Sequence, residues 1–320
     1  MRILLWHVHA AWATAFVQGP HEYLIPVTPD RDKYGLGRPE TYPWPVSATE
    51  VAADRLASQD VDVVVAQRPE ELELAERWLG RRPGRDVPAV FVEHNTPKGE
   101  VPNLRHPLAD RDDIPVVHVT HFNELFWDNG IAPTTVIEHG IVDPGYRYTG
   151  ELARSAVVIN EPIRRWRVTG TDLLPAFAQA APVDVFGMKA EGLPGRLGID
   201  PRAMGTYDLP QGELHAEMAR RRVYVHPNRW TSLGLSLLEA MHLGMPVVAL
   251  AATEVAEAVP EDAGVVSTKV SDLVEAVRRF IADPLYARQV GKQARDAALT
   301  RYGLARFLAD WDRLLAEVVR

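Results

Sequence analysis

The chain has no cysteine. That excludes disulfides, a thiolate metal site and a cysteine nucleophile, and it suits a reducing cytosol. Long hydrophobic runs are also missing. Nothing approaches the roughly 18 apolar residues of a membrane span, so no integral membrane segment is expected. The opening MRILLWHVHAAW is too short in its apolar part for a secretory signal. Basic residues are outnumbered: 35 Lys and Arg face 43 Asp and Glu, for a net charge of −8. A nucleic-acid partner is therefore not expected. No Gly-rich dinucleotide fingerprint follows the first strand, and there is neither a G-x-S-x-G nor a P-loop. Dehydrogenase, hydrolase and kinase readings lose their usual support. The expected location is cytoplasmic, or peripheral to a membrane.

What is present is ample material for a core. The chain has 320 residues, 46% of them hydrophobic, enough for two domains of about 150 residues. Apolar strands are expected at Arg2–Trp6, Tyr23–Val27, Val61–Ala66, Pro88–Val92, Pro115–Thr120 and Thr134–Ile137. Helices are expected at Ala48–Ser58, Pro69–Leu79 and His121–Asp128, with loops over His7–Gly19 and Asp30–Pro45. Strands alternating with helices imply a parallel doubly wound sheet. The stretch Asp143–Glu151, with Pro, Gly and Tyr but no period, marks the boundary. The pattern then restarts, with strands at Ala156–Ile159, Val183–Phe186, Met204–Leu209, Val223–His226, Pro246–Leu250 and Gly264–Ser267. Helices are expected at Thr171–Ala180, Gln211–Arg220 and Leu235–Leu243, and a helical stripe runs from Val270 to Ile281. The last helix carries Leu304, Phe307, Leu308, Trp311, Leu314, Leu315 and Val318 on one face, which must pack on something. The expected division is 1–147, 148–300 and a C-terminal helix, 301–320, crossing back to the first domain.

The most informative stretch is VYVHPNRWTSLGLSLLEAMHLGMPVVAL, Val223 to Leu250. It reads as strand, loop, helix, strand. The loop precedes a helix start, where unpaired backbone N–H groups suit an anion. Glu239 is the one carboxylate among Leu237, Leu238, Ala240 and Met241. A carboxylate there can hydrogen-bond sugar or ribose hydroxyls. By itself this is a β-α-β unit with one odd carboxylate. In open α/β sheets ligands gather at the carboxyl ends of strands. The loops at such ends are His7–Gly19, Glu93–Asn103, Asn160–Gly170 and Pro227–Gly234.

The stretch resembles the C-terminal signature of GT-B-fold retaining glycosyltransferases of family 4, the group 1 glycosyltransferases. Their segment runs E-G-F-G-L-x-x-L-E-A-M-A-x-G-x-P-V-V-A, and a Glu-x7-Glu element lies in it. The match covers Gly234, Leu235, Leu238, Glu239, Ala240, Met241, Gly244, Pro246, Val247, Val248 and Ala249. VVINEPIRRWRVTGTDLLPAF is similar to the family's phosphate-binding loop, and VIEHGIVDPG to its hinge. The resemblance implies two Rossmann-like domains facing a central cleft, with the acceptor on the first and a nucleotide-sugar donor on the second.

Roles follow from the resemblance residue by residue. Glu239 matches the carboxylate that binds ribose hydroxyls. Ser232, Leu233, Gly234 and Leu235 match the turn that contacts diphosphate and sugar. Arg164 matches the diphosphate-binding Arg, and His94 a histidine that contacts the donor sugar near the transferred carbon. His9, Ala10 and Ala11 fall in a first loop that would meet the acceptor and cover the diphosphate. Lys98 is either an acceptor contact or a solvated loop residue. Two positions depart from the pattern. Thr231 replaces the family's first Glu, and Thr169 its Lys; Arg165 or Arg167 would supply the second positive charge. His139 replaces the hinge Asn. No resident cofactor or metal is expected: His7 and His9 lack a third ligand of suitable spacing.

The activity implied is transfer of a sugar from a nucleotide diphosphate to an acceptor hydroxyl, with retention and without a metal. The acceptor would be a glycan, a lipid-linked sugar or a small molecule. Two alternatives are a catalytically weakened binder of nucleotide sugars or glycans, motivated by Thr231 and Thr169, and a nucleotide-sugar epimerase on the same fold.

Overall fold

The computed structural model describes residues 1–101 and 103–320. The chain divides into two compact units. One comprises Met1–Val142 with Leu304–Arg320, the other Asp143–Gly303.

The first unit runs β1 (Arg2–Leu5), α1 (Ala10–Phe16), β2 (Glu22–Val27), β3 (Ala48–Ala52), a 3-10 turn (Ala53–Ser58), β4 (Val63–Ala66), α2 (Pro69–Leu79), β5 (Ala89–Glu93), β6 (Val116–His118), α3 (His121–Phe126) and β7 (Thr134–Val136). Its seven strands lie in the order β3-β2-β1-β4-β5-β6-β7, and every pairing is parallel. All four residues of β4 are buried, as a continuous Val run requires when helices cover both sheet faces. Helix α2 starts on Pro69 and ends at Gly80, whose φ is +66°. The buried Glu71 caps it by accepting from the backbone N–H groups of Gln67 (2.6 Å) and Arg68 (3.2 Å).

Two expected elements are different here. Ala10–Phe16 is helix rather than loop: four alanines in seven residues favour it, and only 7–9 remain as connection. Ala48–Ser58 is not one helix. Its first half pairs with β2 along five residues, where Thr49 and Val51 suit a strand, and the rest is the 3-10 turn. The spacing of Val51, Ala52 and Leu56 fits a helix locally, but the open edge of β2 captures the segment instead. Helix α3 also stops at Phe126, because Trp127 is extended.

The second unit runs β8 (Leu152–Val158), α4 (Pro162–Arg165), a 3-10 turn (Thr171–Leu173), α5 (Leu174–Ala178), β9 (Val183–Phe186), α6 (Leu193–Leu197), β10 (Met204–Tyr207), α7 (Gln211–Arg220), β11 (Arg221–His226), α8 (Leu235–Leu243), β12 (Val247–Leu250), α9 (Val255–Ala258), β13 (Gly264–Ser267), α10 (Val270–Ala282) and α11 (Pro284–Arg301). Its six strands follow the order β10-β9-β8-β11-β12-β13, again all parallel. Asp184, fully buried in β9, holds Arg154 (2.6 Å) and Arg221 (2.8 Å) and so ties three strands together. Every residue of α8 from Leu237 to Leu243 is buried, as expected of a helix apolar all round. Gly244, at φ +85°, ends it. Helix α11 crosses there, and a Cβ on Gly291 would overlap the Gly244 carbonyl. The expected helix Thr171–Ala180 divides before Pro175, and the expected loop 160–170 contains the short α4. Helix α11 had a legible start: Asp283 accepts from the N–H groups of Leu285 (3.1 Å) and Tyr286 (3.0 Å), with Pro284 next.

The last helix, α12 (Leu304–Val318), belongs to the first unit. It buries Phe307, Trp311 and Leu315. Trp311 meets Trp12 and Phe16 of α1 edge-on, with ring centroids 5.6 and 5.0 Å apart. Arg306 donates to the carbonyls of Glu138 (3.1 Å) and His139. No helix among the described residues is long and apolar enough to cross a membrane.

Candidate functional site

Both sheets reverse direction once, between β1 and β4 and between β8 and β11. A crevice opens at the carboxyl ends of the strands at such a point, and ligands bind there. In the second unit the loops at that point are 159–170 and 227–234.

The first of these loops is strained and locked. Glu161 and Trp166 have φ values of +55° and +38° without being glycine, a conformation that persists only where surroundings impose it. Thr169 is buried, and its hydroxyl bonds the Trp166 carbonyl (3.2 Å) and the Thr171 hydroxyl (3.0 Å). Thr169 therefore closes the loop and is not free to replace the family's cation. Gly170 has φ +69°, and a Cβ there would overlap the Pro227 carbonyl. The N–H groups of Arg229 (2.9 Å) and Trp230 (3.2 Å) both donate to the Val168 carbonyl. Asp172 binds Arg229 (2.5 Å) and Arg167 (3.0 Å). The two loops thus form one rigid edge.

Three arginines differ within this edge. Arg164 is exposed and bonds Glu161 through Nε (2.9 Å) and Nη2. Lys189 shares the same carboxylate at 2.9 Å. Hydrogen bonds from Arg164 and Lys189 push the Glu161 carboxyl down to about 2. Arg167 is exposed and bound to Asp172. Arg165 is half-buried and, among the described residues, has no ion-pair partner. Burial, then the neighbouring Arg164, lower its pKa. Of Arg165 and Arg167, the former is the uncompensated cation.

The second loop leads into α8. Ser232 and Leu233 are buried, and the Ser232 carbonyl accepts from the Glu254 N–H at 3.4 Å. Thr231 is half-buried, and no side-chain hydrogen bond engages it within the described residues. Gly234 precedes the helix and Leu235 begins it, where the first N–H groups lack intrahelical acceptors. One turn further, Glu239 is 7% exposed. Gln211 Nε2 donates to one of its oxygens at 3.0 Å, and His215 Nε2 lies 3.5 Å from the other. Gln211 and His215 were not singled out from sequence. Their four-residue spacing on α7 was the available signal.

The first unit has a different chemistry at its strand ends. His9 and His94 stack with ring centroids 4.0 Å apart, and Trp12 meets His94 edge-on at 5.1 Å. Burial lowers the pKa of His9 to about 4 and that of His139 to about 3. His94 falls well below its ordinary value through burial, then the neighbouring His9 and His139. Its Nε2 is buried without a hydrogen-bond partner among the described residues. All three rings are therefore neutral at pH 7. Ala10 and Ala11 begin α1 and are half-buried. Lys98 is exposed, with no ion pair among the described residues. His7 faces elsewhere, its Nδ1 3.1 Å from the Gly37 carbonyl. Among the described residues no three His, Asp or Glu side chains are grouped to hold a metal ion.

Comparison with known proteins agrees with this architecture. Residues 198–297 match the family model described as "Glycosyl transferases group 1". No curated protein matches the chain. Among solved structures, sucrose-phosphate synthase from Thermosynechococcus elongatus has TM-score 0.73 and 15% identity, covering 99% of this chain and 98% of that one. HepE of Anabaena, in complex with UDP-glucose, has TM-score 0.70 and 14% identity, covering 99% and 100%. A glycosyltransferase from Rickettsia africae has TM-score 0.70 and 11% identity, covering 100% and 98%. With its two parallel-sheet Rossmann-like domains the chain has the GT-B fold, and it resembles the group 1 glycosyltransferases.

Proposed function

We propose that the protein transfers a sugar from a nucleotide diphosphate to an acceptor hydroxyl, with retention of configuration and without a metal. One observation carries this reading. At the second unit's switch point an exposed Arg164 and an unpaired Arg165 stand on one loop, and a glycine turn leads to the buried Glu239 on the other. Such a set can take both ends of a nucleotide. The guanidinium groups suit phosphate oxygens, and the turn offers backbone N–H groups. Glu239 exchanges Gln211 for ribose hydroxyls.

The chemistry then follows from charge. As the glycosidic bond breaks, negative charge grows on the leaving diphosphate, and Arg164 with Arg165 stabilise it. Arg164 leaves Glu161 to do so; Lys189 remains to hold that carboxylate. The leaving phosphate oxygen takes the acceptor's proton on the same face, so no protein nucleophile is needed. His94 contacts the sugar as a neutral imidazole, and neutrality keeps it from competing with the arginines for the diphosphate. His9, Ala10, Ala11 and Lys98 serve the acceptor.

The test is incubation with UDP-, ADP- and GDP-sugars, following released nucleotide with and without candidate acceptors. Wild type is expected to release nucleotide with at least one donor. Glu239→Ala is expected to lose about a hundredfold in kcat/KM at unchanged melting temperature. Full activity of that variant sinks the assignment of Glu239. A weakened binder remains the second reading, because Thr169 is absorbed into its loop. Binding without turnover across donors and acceptors would favour it, and donor conversion without any acceptor would indicate an epimerase.

A further inference from the structure

His226 ends β11 at the second unit's switch point and is 1% exposed. Its Nδ1 lies 3.3 Å from the Tyr224 hydroxyl, which lies 2.9 Å from the Ser236 hydroxyl. Its Nε2 is buried and has no hydrogen-bond partner among the described residues. The ring lies against the start of α8: a Cβ on Gly234 would overlap its Cε1–Nε2 edge. The φ of Gly234 is −72°, open to any residue. Glycine is required there by the imidazole's approach and not by backbone conformation.

Burial lowers the His226 pKa to about 4, so the ring is neutral at pH 7 and carries one N–H. The hydroxyl chain can run in two directions. If Ser236 donates to Tyr224 and Tyr224 to Nδ1, the proton sits on Nε2, and the buried orphan is a donor. An anion at the amino end of the nine-residue α8 selects that direction.

We propose that His226 Nε2–H is a further ligand of the donor's diphosphate, with Tyr224 and Ser236 positioning its tautomer. This rests on the second unit being a nucleotide-sugar site. The sequence resemblance supplied no role at this position; the orphaned nitrogen and the glycine beside it do.

The experiment uses the full chain and titration calorimetry with UDP, ADP and GDP. If wild type binds none of them, the nucleotide reading fails and this proposal with it. If wild type binds one, the variants decide. A Gln side-chain N–H can stand where Nε2 stood, so His226→Gln is expected to stay within about threefold of wild type. His226→Asn reaches only the Nδ1 position and is expected to weaken binding about ten- to hundredfold. Tyr224→Phe, which frees the tautomer, is expected to weaken it about threefold. Equal affinities for wild type, His226→Gln and His226→Asn overturn the proposal. Should His226→Asn not fold, nitrogen-15 spectra of wild type still decide. A protonated Nε2 that shifts on nucleotide addition supports it, and an unprotonated Nε2 in the complex overturns it.

Discussion

At its strand ends the first unit gathers imidazoles, His9, His94 and His139, all neutral because they are buried. At its own strand ends the second unit gathers Arg164 and Arg165 beside a buried carboxylate, Glu239. Strand order around the two switch points is the same. The chemistry is set by the loops alone: the sheet provides a place, and a few residues after each strand decide what it holds. In the first unit burial removes charge. In the second, exposure and the Glu161 carboxylate keep Arg164 charged, with its pKa raised chiefly by that hydrogen bond.

The comparison breaks most readily through the arginines. Arg164→Ala is expected to cost about a hundredfold or more in kcat/KM, the usual scale for a group that meets developing charge. Arg165→Ala is expected to cost about tenfold. Arg167→Ala should remain within about threefold, since Arg229 still holds Asp172. Equal losses for Arg165→Ala and Arg167→Ala would show that the ion pair to Asp172 does not separate them.

Acid tests the other side. A histidine whose folded pKa is depressed binds its proton first in the unfolded chain, so stability rises with pH across the gap. For His9 the gap runs from 6.5 down to about 4. Stability is expected to be full above pH 6.5 and to fall as pH drops towards 4, by up to about 3 kcal/mol for a shift of that size. Melting temperature measured from pH 8 to pH 4 should trace this fall. His94→Gln with His139→Gln should flatten it. An unchanged slope in the double variant would mean that the cluster carries none of the acid sensitivity.

The smallest effect is expected at Thr231. Thr231→Glu restores the carboxylate of the resembled pattern beside a half-buried turn. A change of within about tenfold in relative kcat/KM among nucleotide sugars is expected, read by donor competition. An unaltered donor ranking would remove Thr231 from the sugar contacts.

Much of this molecule was legible in its sequence. The helix α8 with Glu239 and the closing Gly244 could be read from spacing and cap residues. So could α2, with Pro69 in front and Gly80 behind. Other parts were not. The alanines of 10–16 looked like a small-residue loop beside His9. The segment 48–58 satisfied a helical spacing that pairing with β2 outweighed. Thr169 was placed among the donor contacts by position, yet its hydroxyl serves Trp166 and Thr171. Gln211 and His215 became visible only once α7 lay beside α8.

By itself the sequence determined the α/β class, the two runs of parallel strands and the place of the carboxylate on α8. These depend on apolar runs, periodicity and caps, all of which act between near neighbours in the chain. Only the tertiary structure decided which arginine is unpaired, which histidines are neutral and which nitrogen at His226 lacks a partner. Those properties depend on burial and on partners far along the chain, as Asp172 with Arg229 and His9 with His94 illustrate, and no local spacing encodes them.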